Sequence, residues 1–254
     1  MHFYSAHNLP KEKHAFFGRN GGVSSGFYKS LNFNYKSQDK PRNIAENLQI
    51  VGAHYDLQAQ NVVRLLQSHS NIAVSIDEPS QYSIQADGVV TNKHGIILGI
   101  TTADCVPVLL EDKQHGVIGA AHAGWRGALY GVIENTVEVM LQNGAQIGNI
   151  SAAAGPCLQR ENFEAKDDMR SAFLSHDPGS GKFFTPIGNG SSYLCDLENY
   201  IAYRLRNMGI TDISLSGIDT YENETEYFSY RRFCHRKEIA VPDDFPIQLS
   251  TIML

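Results

Sequence analysis

Three short apolar runs follow one another at the centre of the chain and constrain the fold more than any other feature. Their sequences are GIILGITT (95–102), VPVLLED (106–112) and GVIGAAHA (116–123). Each has the length of a strand and is closed by polar residues or glycine, as buried strands usually are. The sequence therefore predicts buried strands here, with a cysteine (Cys105) and a histidine (His122) at strand ends.

Helical segments and further strands surround this centre. The patterns predict helices over 41–55, 125–142, 163–176 and 195–209, and strands over 61–67, 150–156 and 212–220. A polar aromatic tail, YFSYRRFCHRKE, follows the last of these strands. Strands and helices are mixed without a regular βαβ alternation, and the chain contains neither an internal repeat nor a low-complexity linker. We therefore expect an α+β fold in a single domain over residues 1–254.

Composition limits the classes of function. Hydrophobic residues make up 42% of the chain and charged residues 19%, which is typical of a globular protein with a buried core. The net charge of −6 provides no basic surface for nucleic acid. No apolar run approaches the ~20 residues that a bilayer requires, and no signal peptide is evident. Four scattered cysteines do not form a disulfide framework, so we expect a cytoplasmic protein with free thiols or metal ligands.

Cys105 and His122 allow three interpretations: packing, a cysteine–histidine nucleophilic pair, or a metal site. His69, in LLQSHSN just after a predicted strand, adds a third candidate ligand. Two imidazoles and one thiolate are a known ligand set for zinc, and an open fourth position is typical of a catalytic site. The chain lacks the CxxC and HxxxH pairs that would make this assignment from spacing, so the fold must bring the three residues together.

The histidine pattern argues against a laccase. Trinuclear copper sites are built from HxH pairs, and the ten histidines of this chain form none. We therefore do not expect multicopper oxidation.

The glycine-rich stretch GRNGGVSSG (18–26) has two interpretations. It is either a tight surface turn or an anion site in which backbone N–H groups and the Arg19 guanidinium face a bound anion. Arg231 and Arg232, among the aromatic residues near the C-terminus, could form a second cationic clamp.

Several motifs together resemble the YfiH-type family, once labelled multicopper polyphenol oxidase or laccase-domain proteins. In chain order these motifs are FGRNGGVSSGFYKSLN, QSHS, QADGVVT, TTADCVPVLL, AAHAGWRG, AAAGPCL and YFSYRR. The resemblance implies a single α+β domain of layered mixed sheets flanked by helices. It also implies a zinc-dependent purine nucleoside phosphorylase, acting on adenosine, inosine, guanosine and methylthioadenosine, that also deaminates adenosine. Copper is the alternative metal, and a monomer or weak homodimer is expected.

The family's functional residues map onto this chain by motif. The metal ligands correspond to His69, Cys105 and His122. An early arginine corresponds to Arg19, the asparagine of SLN to Asn32, and a late arginine to Arg232.

The resemblance suggests a role for each group. The metal and Arg19 would anchor phosphate with support from Arg232, and zinc-activated water would attack C6 of adenosine. Asn32 and Glu164 are expected to contact substrate. The residue that protonates the leaving base is not identified by the sequence, and Asp104 and Glu164 are candidates for it.

Two departures from the family pattern leave alternatives open. YKSQDKP follows SLNFN where a histidine-containing HVGD-like run is expected, and FCHRKE follows YRR in place of an acidic, glycine-containing turn. Both bear on substrate preference. The rival functions are a metal-free hydrolase or deamidase with Cys105 as nucleophile and His122 as base, and a non-catalytic nucleotide-binding or peptidoglycan maintenance factor.

Overall fold

The three central apolar runs form strands of two different sheets. A computed structural model describes residues 1–79, 84–188 and 191–254. Its strands are β1 (Phe3–Tyr4), β2 (His14–Phe17), β3 (Val62–Arg64), β4 (Ala73–Ser75), β5 (Gly88–Thr91), β6 (Ile97–Thr102), β7 (Val106–Asp112), β8 (Val117–Ala123), β9 (Ile150–Ala154), β10 (Glu164–Lys166), β11 (Phe184–Ile187), β12 (Ser192–Cys195), β13 (Asp212–Leu215) and β14 (Gln248–Met253). Its α-helices are α1 (Pro41–His54), α2 (Trp125–Tyr130), α3 (Val132–Gln142), α4 (Asp167–His176), α5 (Leu197–Asn207) and α6 (Tyr230–Arg236).

The strands form three sheets. A five-stranded sheet has the order β1-β2-β14-β6-β3, a six-stranded sheet has the order β13-β9-β7-β8-β5-β4, and a small sheet has the order β10-β12-β11. The two larger sheets are mixed, because β3 runs parallel to β6, β4 to β5 and β13 to β9, while their other neighbours are antiparallel. The first central run therefore enters the five-stranded sheet, and the other two form the β7–β8 hairpin of the six-stranded sheet.

The layered arrangement of sheets and helices follows from the burial of both faces of the central strands. Every residue of β7 and β8 is buried, so each face of this hairpin needs a cover. Leu109 packs between the two larger sheets, whereas its neighbours Val108 and Leu110 pack toward α3 and α5. On the outer face of the five-stranded sheet, α1 packs against β2, β3, β6 and β14. The architecture is thus helix, sheet, sheet, helix, which confirms the predicted α+β fold of layered mixed sheets flanked by helices.

The structure differs from the predicted elements in two helical regions. The helix predicted over 125–142 is two helices, because Gly131 adopts a left-handed conformation (φ 94°) between α2 and α3. The helix predicted over 163–176 begins only at Asp167, since Glu164–Lys166 pairs with β12 as a strand.

Several other segments also differ from the prediction. The strands predicted over 150–156 and 212–220 end at Ala154 and Leu215. The strand predicted over 61–67 ends at Arg64. The aromatic tail contains a helix, α6, whose N-terminus is capped by the Ser229 hydroxyl accepting from the Arg232 N–H. β14 lies between β2 and β6, and sequence analysis assigned no strand there. Across the described ranges, every helix is too short or too polar to traverse a bilayer.

Gly131→Ala should destabilise the fold, because an L-residue in the left-handed region costs about 1–2 kcal/mol. Gly148→Ala is the matched control, since its φ is not positive and an added methyl group would meet no atom within 4 Å. Urea denaturation followed by circular dichroism should show a lower free energy of unfolding for the first variant only. Equal effects would contradict the strain argument.

Candidate metal centre

The chain passes from the five-stranded to the six-stranded sheet through a turn that ends at Cys105. Asp104 in this turn has a left-handed backbone (φ 84°). Its buried carboxylate accepts hydrogen bonds from Thr220 Oγ1 and the Arg231 N–H, both at 2.6 Å. Its carbonyl accepts from the Leu158 N–H at 2.9 Å. These contacts stabilise the turn and hold Cys105 at the start of β7.

The two histidines reach the same place from other elements. His122 lies on β8 and pairs with Pro107 on β7, two residues beyond Cys105. His69 lies in the loop after β3, again with a left-handed backbone (φ 60°). The ring centroids of the two histidines are 4.7 Å apart.

The structure brings His69, Cys105 and His122 into one group whose ligand atoms all lie within 4.8 Å of one another. A thiol and two imidazoles at this separation match a three-ligand zinc centre. The glycine at position 124 is required by this arrangement. An ideal Cβ on Gly124 would lie 2.5 Å from His69 Nδ1 and 3.1 Å from Cys105 Sγ, so a side chain there would displace the ligands.

A fully buried carboxylate, Asp87, supports the group from behind. Its Oδ1 lies 2.8 Å from His122 Nδ1 and accepts from the His69 N–H at 3.1 Å. Its Oδ2 accepts from the backbone N–H groups of Ser68 and Ser70 and from the Ser70 hydroxyl. Sequence analysis did not single out Asp87, and the signal that could have found it was its place in the motif QADGVVT.

The electrostatics of the group favour a thiolate. Burial by itself would raise the pKa of Cys105, but the neighbouring His122 and His69 lower this pKa to about 6. Burial also opposes charge on His122, yet the Cys105 thiolate and Asp87 raise the pKa of the imidazole. The hydrogen bonds from His122 and Ser70 outweigh the effect of burial on Asp87 and hold its pKa at about 2. A thiolate ligand is therefore available near neutral pH.

A cavity of about 460 Å³ opens onto the three ligands. Its size is within the range of small-molecule sites. One wall is aromatic, since the rings of Tyr230 and Phe245 lie 4.8 Å apart at an angle of 56°. The other described residues that line it come mainly from the loop after β2, the end of β6 and the segment before β14: Asn34, Tyr35, Lys36, Leu65, Gln67, Thr101, Thr102, Ala103, Ile239, Pro242, Asp243 and Ile247.

Arg19 lies apart from the described lining of this cavity. Its guanidinium donates to the Lys29 carbonyl at 3.0 and 3.2 Å and to the Glu224 carbonyl at 3.0 Å. It also lies over the Phe228 ring, 4.6 Å from the centroid. In this structure Arg19 joins the glycine-rich loop to the segment before α6, and its role as a phosphate anchor stays a prediction.

Arg232 and Asn32 are also held inside the protein. The buried guanidinium of Arg232 donates to three carbonyls, those of Thr220, Tyr221 and Tyr227. The amide oxygen of Asn32 accepts from the N–H groups of Asn34 and Ile247. Asn32 thus joins the two segments that wall the cavity, although it is not among the described residues that face it.

The two acids proposed to protonate the leaving base also lie outside the described lining. The Asp104 carboxylate is turned toward Thr220 and Arg231, as described above. Glu164 is exposed on β10, and its carbonyl accepts from Arg231 Nη2 at 3.2 Å. The structure therefore unites the three predicted metal ligands but not the other predicted site residues.

Comparison with known proteins places the chain in a family. The family described as multi-copper polyphenol oxidoreductase laccase matches residues 13–239. The chain belongs to this YfiH-type family. A purine nucleoside phosphorylase of Deinococcus radiodurans is 38% identical over 219 residues, 86% of this chain and 83% of that protein. The purine nucleoside phosphorylase YfiH of Escherichia coli is 36% identical over 215 residues, 84% of this chain and 86% of that protein.

A solved YfiH-type structure shares the whole fold. A Neisseria meningitidis protein of the family DUF152 superposes with a TM-score of 0.86 at 31% identity, covering 99% of this chain and 98% of that one. Within the described part of this chain, a single group of three or more histidine, cysteine or acidic side chains could hold a metal ion. That group offers one ion three ligands, which differs from the multi-copper cluster in the family's description.

Cys105→Ser should leave the protein with little bound zinc, because a serine hydroxyl stays protonated where the thiol is a thiolate. Cys234→Ser is the control, since Cys234 is an exposed free cysteine outside the ligand group. Metal analysis of protein purified with zinc or with copper should show the loss in the first variant alone. If Cys105→Ser holds as much metal as the unmodified protein, Cys105 is not a ligand.

Proposed function

We propose that this protein is a zinc-dependent purine nucleoside phosphorylase that also deaminates adenosine. Adenosine, inosine, guanosine or methylthioadenosine would react with phosphate to give a free base and the ribose 1-phosphate. The observation that carries the proposal is the ligand group of His69, Cys105 and His122, which lines a 460 Å³ cavity with an aromatic wall. Relatives named purine nucleoside phosphorylases support it.

We propose zinc, and not the alternative copper, as the metal of this site. A thiolate and two imidazoles leave zinc one open position, as in catalytic zinc sites. When bound, zinc supplies a positive charge and a Lewis acid at the base of the cavity. The chain's own residues supply the rest: they exclude water, hold the nucleoside and orient the ligands.

The aromatic wall suits a purine ring. Tyr230 and Phe245 lie in ring contact, and Tyr35 adds a third aromatic side chain to the lining. Stacking of a base on an aromatic side chain contributes about 1–3 kcal/mol and tolerates different bases. This agrees with a phosphorylase that accepts several purine nucleosides.

Phosphorolysis requires a held anion and a leaving base. A phosphate oxygen forms a bond to C1′ while the bond from C1′ to the base nitrogen breaks. The base leaves with that electron pair and gains overall the proton that hydrogen phosphate loses. Apart from the histidines, Lys36 is the cationic side chain among the described lining residues. We propose that phosphate binds between the ligand group and this side of the cavity, with Arg19 as the predicted outer anchor.

A second candidate function rests on a different property of the same residues. Cys105, His122 and Asp87 form the thiolate, imidazole and carboxylate of a cysteine hydrolase, with Asp87 orienting the imidazole through Nδ1. Such an enzyme would need no metal. A non-catalytic nucleotide-binding or peptidoglycan maintenance role is the remaining alternative.

Inosine should yield hypoxanthine only when phosphate is present, and the activity should fall when a chelator removes zinc and return when zinc is restored. Release of ammonia from adenosine should depend on zinc but not on phosphate, because water replaces phosphate as the attacking group. Chromatography of the products measures both reactions. A metal-free hydrolase would keep its activity in chelator, and a non-catalytic protein would show no turnover in any condition.

Tyr230→Ala should raise KM for inosine about fivefold to 150-fold, since a stacking contact of about 1–3 kcal/mol is lost and each 1.4 kcal/mol is a factor of ten. Tyr130→Ala is the matched control, because Tyr130 is similarly exposed but does not line the cavity. Steady-state kinetics at saturating phosphate measures the effect. An unchanged KM for Tyr230→Ala would exclude the aromatic wall as the base site.

A further inference from the structure

One oxygen atom of Asp87 contacts both histidines of the ligand group. Oδ1 lies 2.8 Å from the Nδ1 atom of His122 and 3.1 Å from the backbone nitrogen of His69. Asp87 is completely buried, so these contacts do not compete with water. Because Nδ1 of His122 faces the carboxylate, Nε2 is left as the ring nitrogen for a metal.

The same carboxylate also holds the loop that carries His69. Its two oxygens accept from three successive N–H groups, those of Ser68, His69 and Ser70. The left-handed backbone of His69 (φ 60°) is unfavourable for a residue other than glycine and needs such support. The main chain of Asp87 continues the connection, with its carbonyl accepting from the His122 N–H at 2.7 Å and its N–H donating to the Ile72 carbonyl at 3.0 Å.

We propose that Asp87 is the positioning residue of the metal centre, and that one carboxylate sets the ring orientation of His122 and the backbone conformation of His69 together. The proposal rests on the zinc centre of the proposed function. Asp87 acts through the two histidines, and neither the metal nor the nucleoside is expected to touch it. The two ligands should therefore lose their alignment together when this carboxylate is changed.

The chain contains a matched control for this carboxylate. Asp112 is also fully buried, and its oxygens accept from the N–H groups of Gln114, His115 and Gln146. It lies 2.8 Å from Nδ1 of His115, the same contact that Asp87 makes with His122. Cys105 directly precedes β7, and Asp112 is the last residue of that strand. At about 3.3 Å per residue, Cys105 and Asp112 therefore lie about 20 Å apart. Any general effect of changing a buried, histidine-bonded carboxylate should appear in both variants.

The experiment compares Asp87→Asn with Asp112→Asn in the full chain. An asparagine keeps the shape but replaces one acceptor oxygen with a donor that faces the N–H groups. Competition with a chromophoric chelator should show zinc affinity about 10–100-fold weaker in Asp87→Asn, the effect expected of an orienting partner. Asp112→Asn should bind zinc as tightly as the unmodified protein. With cobalt in place of zinc, the visible absorption bands should change in Asp87→Asn alone.

The outcomes separate this proposal from the proposed function. Equal zinc affinities in Asp87→Asn and the unmodified protein overturn the role of Asp87 and leave the phosphorylase proposal intact. An unmodified protein that binds zinc without phosphorolysis overturns the function, while the affinities still decide the role of Asp87. If the unmodified protein binds no zinc, both proposals fail.

A measurement on the unmodified protein keeps the proposal testable even if Asp87→Asn does not fold. In zinc-loaded protein with 15N-labelled histidine, His122 should carry its proton on Nδ1 and the metal on Nε2. Metal on Nδ1 of His122 would contradict the proposal, because that nitrogen would then be turned away from Asp87.

Discussion

The geometry of the site depends on the turn in which the chain passes from one large sheet to the other. β6 and β7 are consecutive in the chain but belong to different sheets, so the three residues between them must change layers. Asp104 makes this possible with a left-handed backbone stabilised by Thr220 and Arg231. Cys105 emerges at the end of this turn, beside the β8 strand that carries His122. The ligand group is therefore a consequence of how the two sheets are joined.

Buried carboxylates accept hydrogen bonds from the main chain at several places in this fold. Asp87 and Asp112 each accept from three backbone N–H groups, and Asp104 accepts from the Thr220 hydroxyl and from the Arg231 N–H at the start of α6. A buried N–H without a partner costs free energy, so an acidic side chain that accepts from several of them stabilises an otherwise unfavourable loop. Asp87 differs from the other two because it also contacts His69 and His122, two members of the candidate ligand group.

The positive charges of Arg19 and Arg232 suggest anion binding, but their positions in the fold direct both guanidinium groups to backbone carbonyls. Arg19 and Arg232 both donate to backbone carbonyls of the segment that precedes α6. Burial lowers the pKa of both guanidinium groups, and the nearby positive charge of Arg232 lowers the pKa of Arg19 further. Both arginines therefore donate to backbone carbonyls, and neither is among the described residues that line the cavity. Apart from the histidines, the cationic side chain among those residues is Lys36.

The sequence by itself determined the central strands and most helices and indicated three candidate ligands, because apolar periodicity and motif chemistry are local properties. It also indicated the α+β class. Only the tertiary structure decided that Cys105, His69 and His122 share one centre, since three residues from separate elements meet through sheet pairing across the fold. It likewise decided that Asn32 and Arg232 are hydrogen-bonded internally and that Asp87 contacts both His69 and His122. Those contacts join residues up to 215 positions apart, and no local pattern encodes them.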